Sequence, residues 1–185
     1  MIEFMASGFQ TATAITIREA VETDLPAIVE IYNAAIPTGV TAEKEPVSVE
    51  SRFCWFHEHT TSYRPIWVME VERVLAKPTK GIAGWLSFQS FSCGRPAYQA
   101  TAEISIYIAP TYRGYGLGRQ LLTEAIRKSP SFGLKTLVGL IFAHNKPSLH
   151  LFEALSFQHW GYLPRVGELD GVERDLIVVG RKTNE

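Results

Sequence analysis

Residues 100 to 128, ATAEISIYIAPTYRGYGLGRQLLTEAIRK, constrain the chain more than any other stretch, because a strand, a turn and a helix follow one another there without a gap. Ala102, Ile104, Ile106 and Ile108 alternate with Thr101, Glu103, Ser105 and Tyr107. That period of two is the pattern of a half-buried strand, apolar on one face and polar on the other. Pro110 lacks a donor and ends the ladder. Arg113-Gly114-Tyr115-Gly116-Leu117-Gly118-Arg119 makes the turn. From Leu117, Leu121, Leu122, Ala125 and Ile126 recur at helical spacing until Ser129-Pro130 stops the helix.

A turn of this kind favours an anion. The first N–H groups of a helix have no internal partner, and the helix dipole places partial positive charge there. Glycines let the backbone bend sharply and approach a phosphate, and Arg113 and Arg119 flank the turn with charged donors. A nucleotide P-loop would need Gly-Lys-Ser/Thr, whereas Gly118 is followed by Arg119-Gln120. The dinucleotide fingerprint needs G-x-G-x-x-G after a strand apolar on both faces, whereas this turn reads G-x-G-x-G and its strand carries Glu103.

On these residues the sequence resembles the GNAT acetyltransferase superfamily, which carries Arg/Gln-x-x-Gly-x-Gly/Ala at the pyrophosphate of acetyl-CoA; the match here is Arg113, Gly116 and Gly118. AYQATAEISIYIAP is similar to the strand of the phosphinothricin and methionine-sulfone acetyltransferase subgroup, in which a strand glutamate matching Glu103 is the catalytic base. NKPSLHLFEALSF (Asn145 to Phe157) resembles the second cofactor motif, and the likeness spans residues 15 to 182.

The resemblance implies acetyl-CoA as co-substrate, with no metal. It places the pyrophosphate on Arg113, Gly114, Tyr115, Gly116, Leu117, Gly118 and Arg119, and the pantetheine amides on the main chain of Ile106, Tyr107 and Ile108. Asn145 matches a cofactor-side asparagine, although a plain helix cap reads the same. The subgroup's Trp-Arg before the catalytic strand corresponds to Phe91-Ser92, so the acceptor-binding residues become Phe91, Arg95 as the nearby substitute cation, and Glu103. Phe152 stands where the superfamily often has a proton-donating tyrosine and the subgroup a histidine. Thiol departure then falls to Tyr162 or His144, to a water, or to no acid. Asp175 matches an aspartate of the subgroup's last strand, but Leu169 and Glu173 replace the lysine and tryptophan near it. A homodimer is implied as well. The reaction implied is direct acetyl transfer to the amine of a small amino-acid-like acceptor. The alternatives are acetylation of a protein N-terminus or lysine, and a non-catalytic acetyl-CoA-binding sensor. From the residues alone, Glu103 also reads as an exposed or ion-paired strand glutamate.

The rest of the chain fits one domain. Its 185 residues suffice for a proper core, and a net charge of −1 implies no broad basic surface for nucleic acid. No apolar run is long enough to span a membrane. Cys54 and Cys93 stand far apart, which argues against a disulfide framework or a zinc site and suits a reducing cytoplasm. Residues 1–14 read as a flexible arm without the features of a signal peptide.

Strands are expected at Ala14 to Arg18, Ile66 to Val74, Gly81 to Phe91, Thr136 to Phe142, Gln158 to Val166 and Arg174 to Gly180, with Asp170-Gly171 as a hairpin turn. Thr23 or Asp24 caps a helix with Pro26 in its first turn, and a second helix spans Ser48 to His59, its Phe53, Trp55 and Phe56 reading as core or dimer contacts. His57 and His59 are two apart, the wrong spacing for one helix face. Gly84-Trp85 marks a bulge or a close backbone approach. The loop Val40 to Val47 is placed by the resemblance at the acceptor pocket. The expected class is α/β of α+β type: a mixed, mostly antiparallel sheet of six to seven strands flanked by helices, over residues 15 to 182.

Overall fold

The structure, a computed structural model, describes residues 2–5, 13–59, 64–73 and 79–184. Its strands are β1 Ile2–Met5, β2 Thr13–Glu19, β3 Ile66–Arg73, β4 Thr79–Ser90, β5 Thr101–Ile108, β6 Thr136–Phe142, β7 Gln158–Leu169 and β8 Val172–Lys182. They form one sheet in the order β1-β2-β3-β4-β5-β6-β8-β7, in which the β5–β6 pair is parallel and every other pair antiparallel. The strand beyond the expected seven is β1, which pairs with β2 inside the segment read as an arm; residues 1 and 6–12 of that segment lie outside the described residues. Val74, the end of the strand expected from Ile66, also lies outside them.

The two faces of the sheet carry different helices, because successive side chains of a strand point to opposite sides. On one face Trp67, Met69, Leu86, Phe88, Ala102 and Ile104 pack with α3 (Leu117–Lys128) and α4 (Lys146–Glu153). On the other, Ile66, Val68 and Trp85 pack with α1 (Leu25–Asn33) and α2 (Phe53–His59). Leu121 and Leu122 of α3 are fully buried; burying a leucine contributes about 1.5–3 kcal/mol.

Local chemistry explains the ends of the elements. Pro26 opens α1 in its first turn. Asp24, at its N-cap, offers its carboxylate to the amide of Val21 at 2.8 Å and to Arg18 at 2.6 Å instead of capping the helix amides. The second helix divides into a 3-10 turn, Glu50–Arg52, and α2, with the Ser48 hydroxyl accepting from the Ser51 amide at 3.1 Å. His57 and His59 bond the carbonyls of Phe53 and Trp55, one turn back. Asp170 and Gly171 both adopt the left-handed backbone of a tight hairpin, at φ 52° and 72°.

Candidate active site

β5 and β6 are joined by only three register pairs, Thr101 with Thr136, Ala102 with Leu137 and Glu103 with Val138. Both strands run on, but each is held by its outer neighbour: β4 follows β5 as far as Gly84 opposite Ile108, and β8 follows β6 as far as Leu176 opposite Phe142. The sheet therefore splits after Glu103. Leu140, in an otherwise buried strand, is 43% exposed because its parallel neighbour has parted from it. Gly84 makes the expected close approach: a Cβ there would stand 2.7 Å from the Tyr107 carbonyl oxygen.

A cavity of about 550 Å³ fills the split, with Ile104 to Ile108 and Leu140 on its walls and Arg113, Gly114, Gly116, Leu117, Gly118, Arg119 and Asn145 at the turn side. Gly114 and Gly116 adopt φ 83° and 77°, a conformation that L side chains resist. A Cβ at either would meet nothing within 4 Å, so conformation rather than crowding calls for glycine, and open room remains for a ligand. Gly118 differs: its Cβ would press on Leu151 at 3.3 Å, so it seats the helix start on α4. The first ring-closing bond runs from the Gln120 amide to the Gly116 carbonyl, leaving the amides of Leu117, Gly118 and Arg119 ahead of it. Arg113 donates through Nε to the Ile108 carbonyl at 3.1 Å, tying the turn to the strand end. Tyr115 is half exposed and outside the cavity wall. This cradle, with two cations, free helix amides and bare glycines, fits a diphosphate-bearing cofactor.

A second cavity, of about 460 Å³, lies on the other side of the split and shares Val40, Ser105, Tyr107 and Leu140 with the first. Glu103 is half-buried on its wall. Burial pushes its carboxyl above the usual carboxylate range, and the side chain makes no hydrogen bond or ion pair among the described residues. The β4 and β5 rows run in register here: Gln89 faces Glu103, Ser87 faces Ser105 and Trp85 faces Tyr107. The Tyr107 ring stacks on Trp85 at 4.7 Å between centroids and meets Tyr32 edge-on at 5.2 Å. Burial, first, and the nearby Tyr32 and Glu103 hold the Tyr107 phenol well above its ordinary value, so it keeps its proton.

Sequence reasoning missed Tyr32, Arg52 and Trp85 as wall residues, and placed Trp55 in the core or a dimer contact. Trp55 belongs to the wall and to the core, since it lines the cavity and packs at 5.8 Å from Trp85. The spacing of Arg52 and Trp55, three apart and so on one helical face, was the available signal.

Phe91 and Arg95 line neither cavity. Phe91 continues the row of Trp85, Ser87 and Gln89, but the strand ends at Ser90 and left-handed residues at Ser92 and Cys93 curl the chain, so Phe91 packs on Tyr98. Asn145 does two things: its side chain accepts from the Ser148 amide, capping α4, and it borders the first cavity. Phe152 is buried against Phe157 at the back of that cavity. His144 borders the same cavity, with Nε2 2.8 Å from the Gly39 carbonyl. Tyr162 donates to Asp175 and lines neither cavity.

The acetyltransferase (GNAT) family model matches residues 25–157. "Putative phosphinothricin acetyltransferase YwnH" of Bacillus subtilis is 47% identical over 169 residues, covering 91% of this chain and 99% of its own. An L-methionine sulfoximine/L-methionine sulfone acetyltransferase of Pseudomonas paraeruginosa is 34% identical, over 87% of this chain and 90% of its own. A crystal structure of a GNAT superfamily phosphinothricin acetyltransferase from Sinorhizobium meliloti, in complex with AcCoA, superposes with a TM-score of 0.81 at 29% identity, covering 91% of this chain and 88% of that one.

Proposed function

The chain belongs to the acetyltransferase (GNAT) family, and from that premise we propose that it moves the acetyl group of acetyl-CoA to the amine of a small amino-acid-like acceptor, by direct transfer in a ternary complex with Glu103 as general base. The shared wall carries this reading: Val40, Ser105, Tyr107 and Leu140 border both cavities. A donor in one cavity and an acceptor in the other meet on β5, at side chains two and four residues from Glu103 on the same strand face.

Acetyl-CoA, when bound, supplies an activated thioester. Arg113 and Arg119, with the amides from Tyr115 to Arg119, hold its diphosphate. The main chain of Ile106, Tyr107 and Ile108 serves the pantetheine amides, because the β6-facing edge of β5 has no strand partner there. Asn145 stands on the same side. Glu103 takes a proton from the acceptor ammonium, directly or through a water, and burial makes it a stronger base than an exposed glutamate. Phe152 has no proton to give, so help for the departing thiolate comes from elsewhere, from water or from none. Cys54 and Cys93 are exposed and line neither cavity, which favours direct transfer over an acyl-enzyme.

The names of the relatives support an amino-acid-like acceptor such as phosphinothricin or methionine sulfoximine. A homodimer fits the edge strand β7, which presents Trp160, Tyr162, Leu163 and Val166 to solvent; sedimentation at monomer mass alone would remove it. Two exposed unpaired cysteines suit the cytoplasm. Among the described residues no helix is long and apolar enough to cross a membrane.

The test is thiol release from acetyl-CoA over a panel of amino acids, methionine sulfone, phosphinothricin, polyamines and short peptides, with wild type and Glu103→Gln. Release with amino-acid-like amines that the variant loses is the expected result. Release with peptides alone moves the acceptor to protein, and acetyl-CoA binding with no release moves the chain to a sensor.

A further inference from the structure

We infer that Arg52 is the residue that reads the acid group of the amino-acid-like acceptor, and so sets a preference for a zwitterion over a polyamine or a peptide amine. This rests on the N-acetyltransferase reading above and adds the feature that selects among amines.

Among the described residues two charged side chains line the acceptor cavity, Glu103 on β5 and Arg52 on the 3-10 turn ahead of α2, and they are opposite in sign. The rest of the wall is mostly aliphatic and aromatic. A wall with one anion and one cation in apolar surroundings complements a ligand with one cation and one anion, and it opposes a ligand with two cations. The two charges are connected through aromatic rings: the Arg52 guanidinium carbon lies 5.2 Å from the Tyr32 ring centroid, and that ring meets Tyr107 at 5.2 Å. Tyr107 in turn borders both cavities, so Arg52 is set back from the reacting amine on the acceptor side.

Arg52 has donors to spare. Its Nη2 pairs with Glu43 at 2.6 Å, whereas a guanidinium carries five N–H groups in a planar fork. Glu43 is 44% exposed, so the existing ion pair is of the weak, solvated kind, and it orients the fork without saturating it. A planar acid is the natural partner for the remaining edge. Arginine rather than lysine suits this place, because its delocalised cation stands over the Tyr32 ring, with the guanidinium carbon 5.2 Å from the centroid.

The experiment compares L-methionine sulfone with its carboxamide, which keeps amine and side chain but lacks the acid, as acceptors for wild type, Arg52→Gln and Arg52→Lys. Wild type is expected to prefer the acid by at least about tenfold in kcat/KM. Arg52→Gln is expected to erase that preference through KM for the acid while leaving the amide unchanged, with Arg52→Lys in between. Equal use of acid and amide by wild type, or an equal loss on both in Arg52→Gln, overturns the inference. Unfolding temperature and acetyl-CoA affinity, unchanged in both variants, show that the cavity is intact. Calorimetric titration of acid and amide separates the two claims. Acid binding that needs Arg52, without turnover on any amine, sinks the acetyltransferase reading and keeps the anion reader. Turnover without discrimination does the reverse.

Discussion

Glu103 stands opposite Val138 in the last register pair that joins β5 to β6, so the proposed base occupies the point at which the sheet splits. The position accounts for its chemistry. Val138 is buried at 3% exposure on one side, the proposed acceptor cavity opens on the other, and burial holds the carboxyl above the usual carboxylate range. A base acts only when deprotonated, so kcat/KM for the acceptor is expected to fall as pH drops through a value above the ordinary carboxylate range. Glu103→Gln is expected to lower turnover by about 10²–10⁴-fold and to remove that acid limb. A wild-type inflection at an ordinary carboxylate pH, or an unaltered limb in the variant, would take Glu103 out of the role.

The same burial has a stability consequence of definite sign. The folded chain holds the Glu103 proton more tightly than the unfolded chain, so this group favours folding less as pH rises. The penalty is absent below the unfolded-state pKa, grows between the two values and is complete above the folded one. Glu103→Gln carries no ionisable group and escapes it. Its unfolding temperature is expected to exceed wild type at pH 8 and to converge with it near pH 4, measured by calorimetry. A variant less stable at pH 8 would mean that the carboxylate has a stabilising partner.

Gly116 and Arg113 separate backbone from charge at the turn. Gly116→Ala forces a side chain to φ 77°, which costs about 1–2 kcal/mol, and puts a methyl into the open room proposed for the diphosphate. Both the unfolding temperature and acetyl-CoA affinity are expected to fall. Arg113→Ala has no such strain but removes a charged donor worth about 1.5–3 kcal/mol, so acetyl-CoA binding should weaken by about 10- to 100-fold, more so at low salt. Variants that destabilise the fold and leave acetyl-CoA affinity intact would show a structural turn only.

What could be read before the structure was whatever neighbouring residues decide among themselves. The strand Thr136–Phe142, the helix from Leu117 and the Asp170-Gly171 hairpin are set by alternation, helical spacing and turn chemistry, and each stands where expected. The split depends on which strand pairs with which, and no local pattern announces it. Leu140 looks like its apolar neighbours although it is exposed in the wedge, and β8 inserts between β6 and β7 for reasons of pairing alone. For the same reason Phe91 was legible as the end of the strand from Gly81 but not as a residue that leaves its row, since the curl begins with a left-handed backbone at Ser92 and Cys93, ahead of Gly94. Tyr32 and Arg52 reached the acceptor wall through the packing of α1 and α2 on the sheet, which only the assembled fold supplies.

Gly84 puts the link between sheet packing and the site to a test. In β4 it lies opposite Ile108, and β3 and β4 slip by one residue beside it, where Met69 faces Gly84 but Glu70 faces Ile82. A Cβ at Gly84 would come within 2.5 Å of the Ile108 side chain and 2.7 Å of the Tyr107 carbonyl oxygen. The first contact can be relieved by a rotamer; the second involves backbone and moves β5 itself. Overpacking of this kind costs about 1–3 kcal/mol. The displaced segment carries the Tyr107 ring that stacks on Trp85 and the main chain assigned to pantetheine. Gly84→Ala is therefore expected to lower the unfolding temperature and to raise KM for both acceptor and acetyl-CoA. Gly81→Ala, in the same strand, is the control: its Cβ meets only the Tyr112 hydroxyl at an ordinary 3.7 Å, and its effect should stay within about 0.5 kcal/mol. If Gly84→Ala loses stability but keeps both KM values, the strand absorbs the methyl without moving the cavity walls, and the coupling between this close approach and the site is wrong.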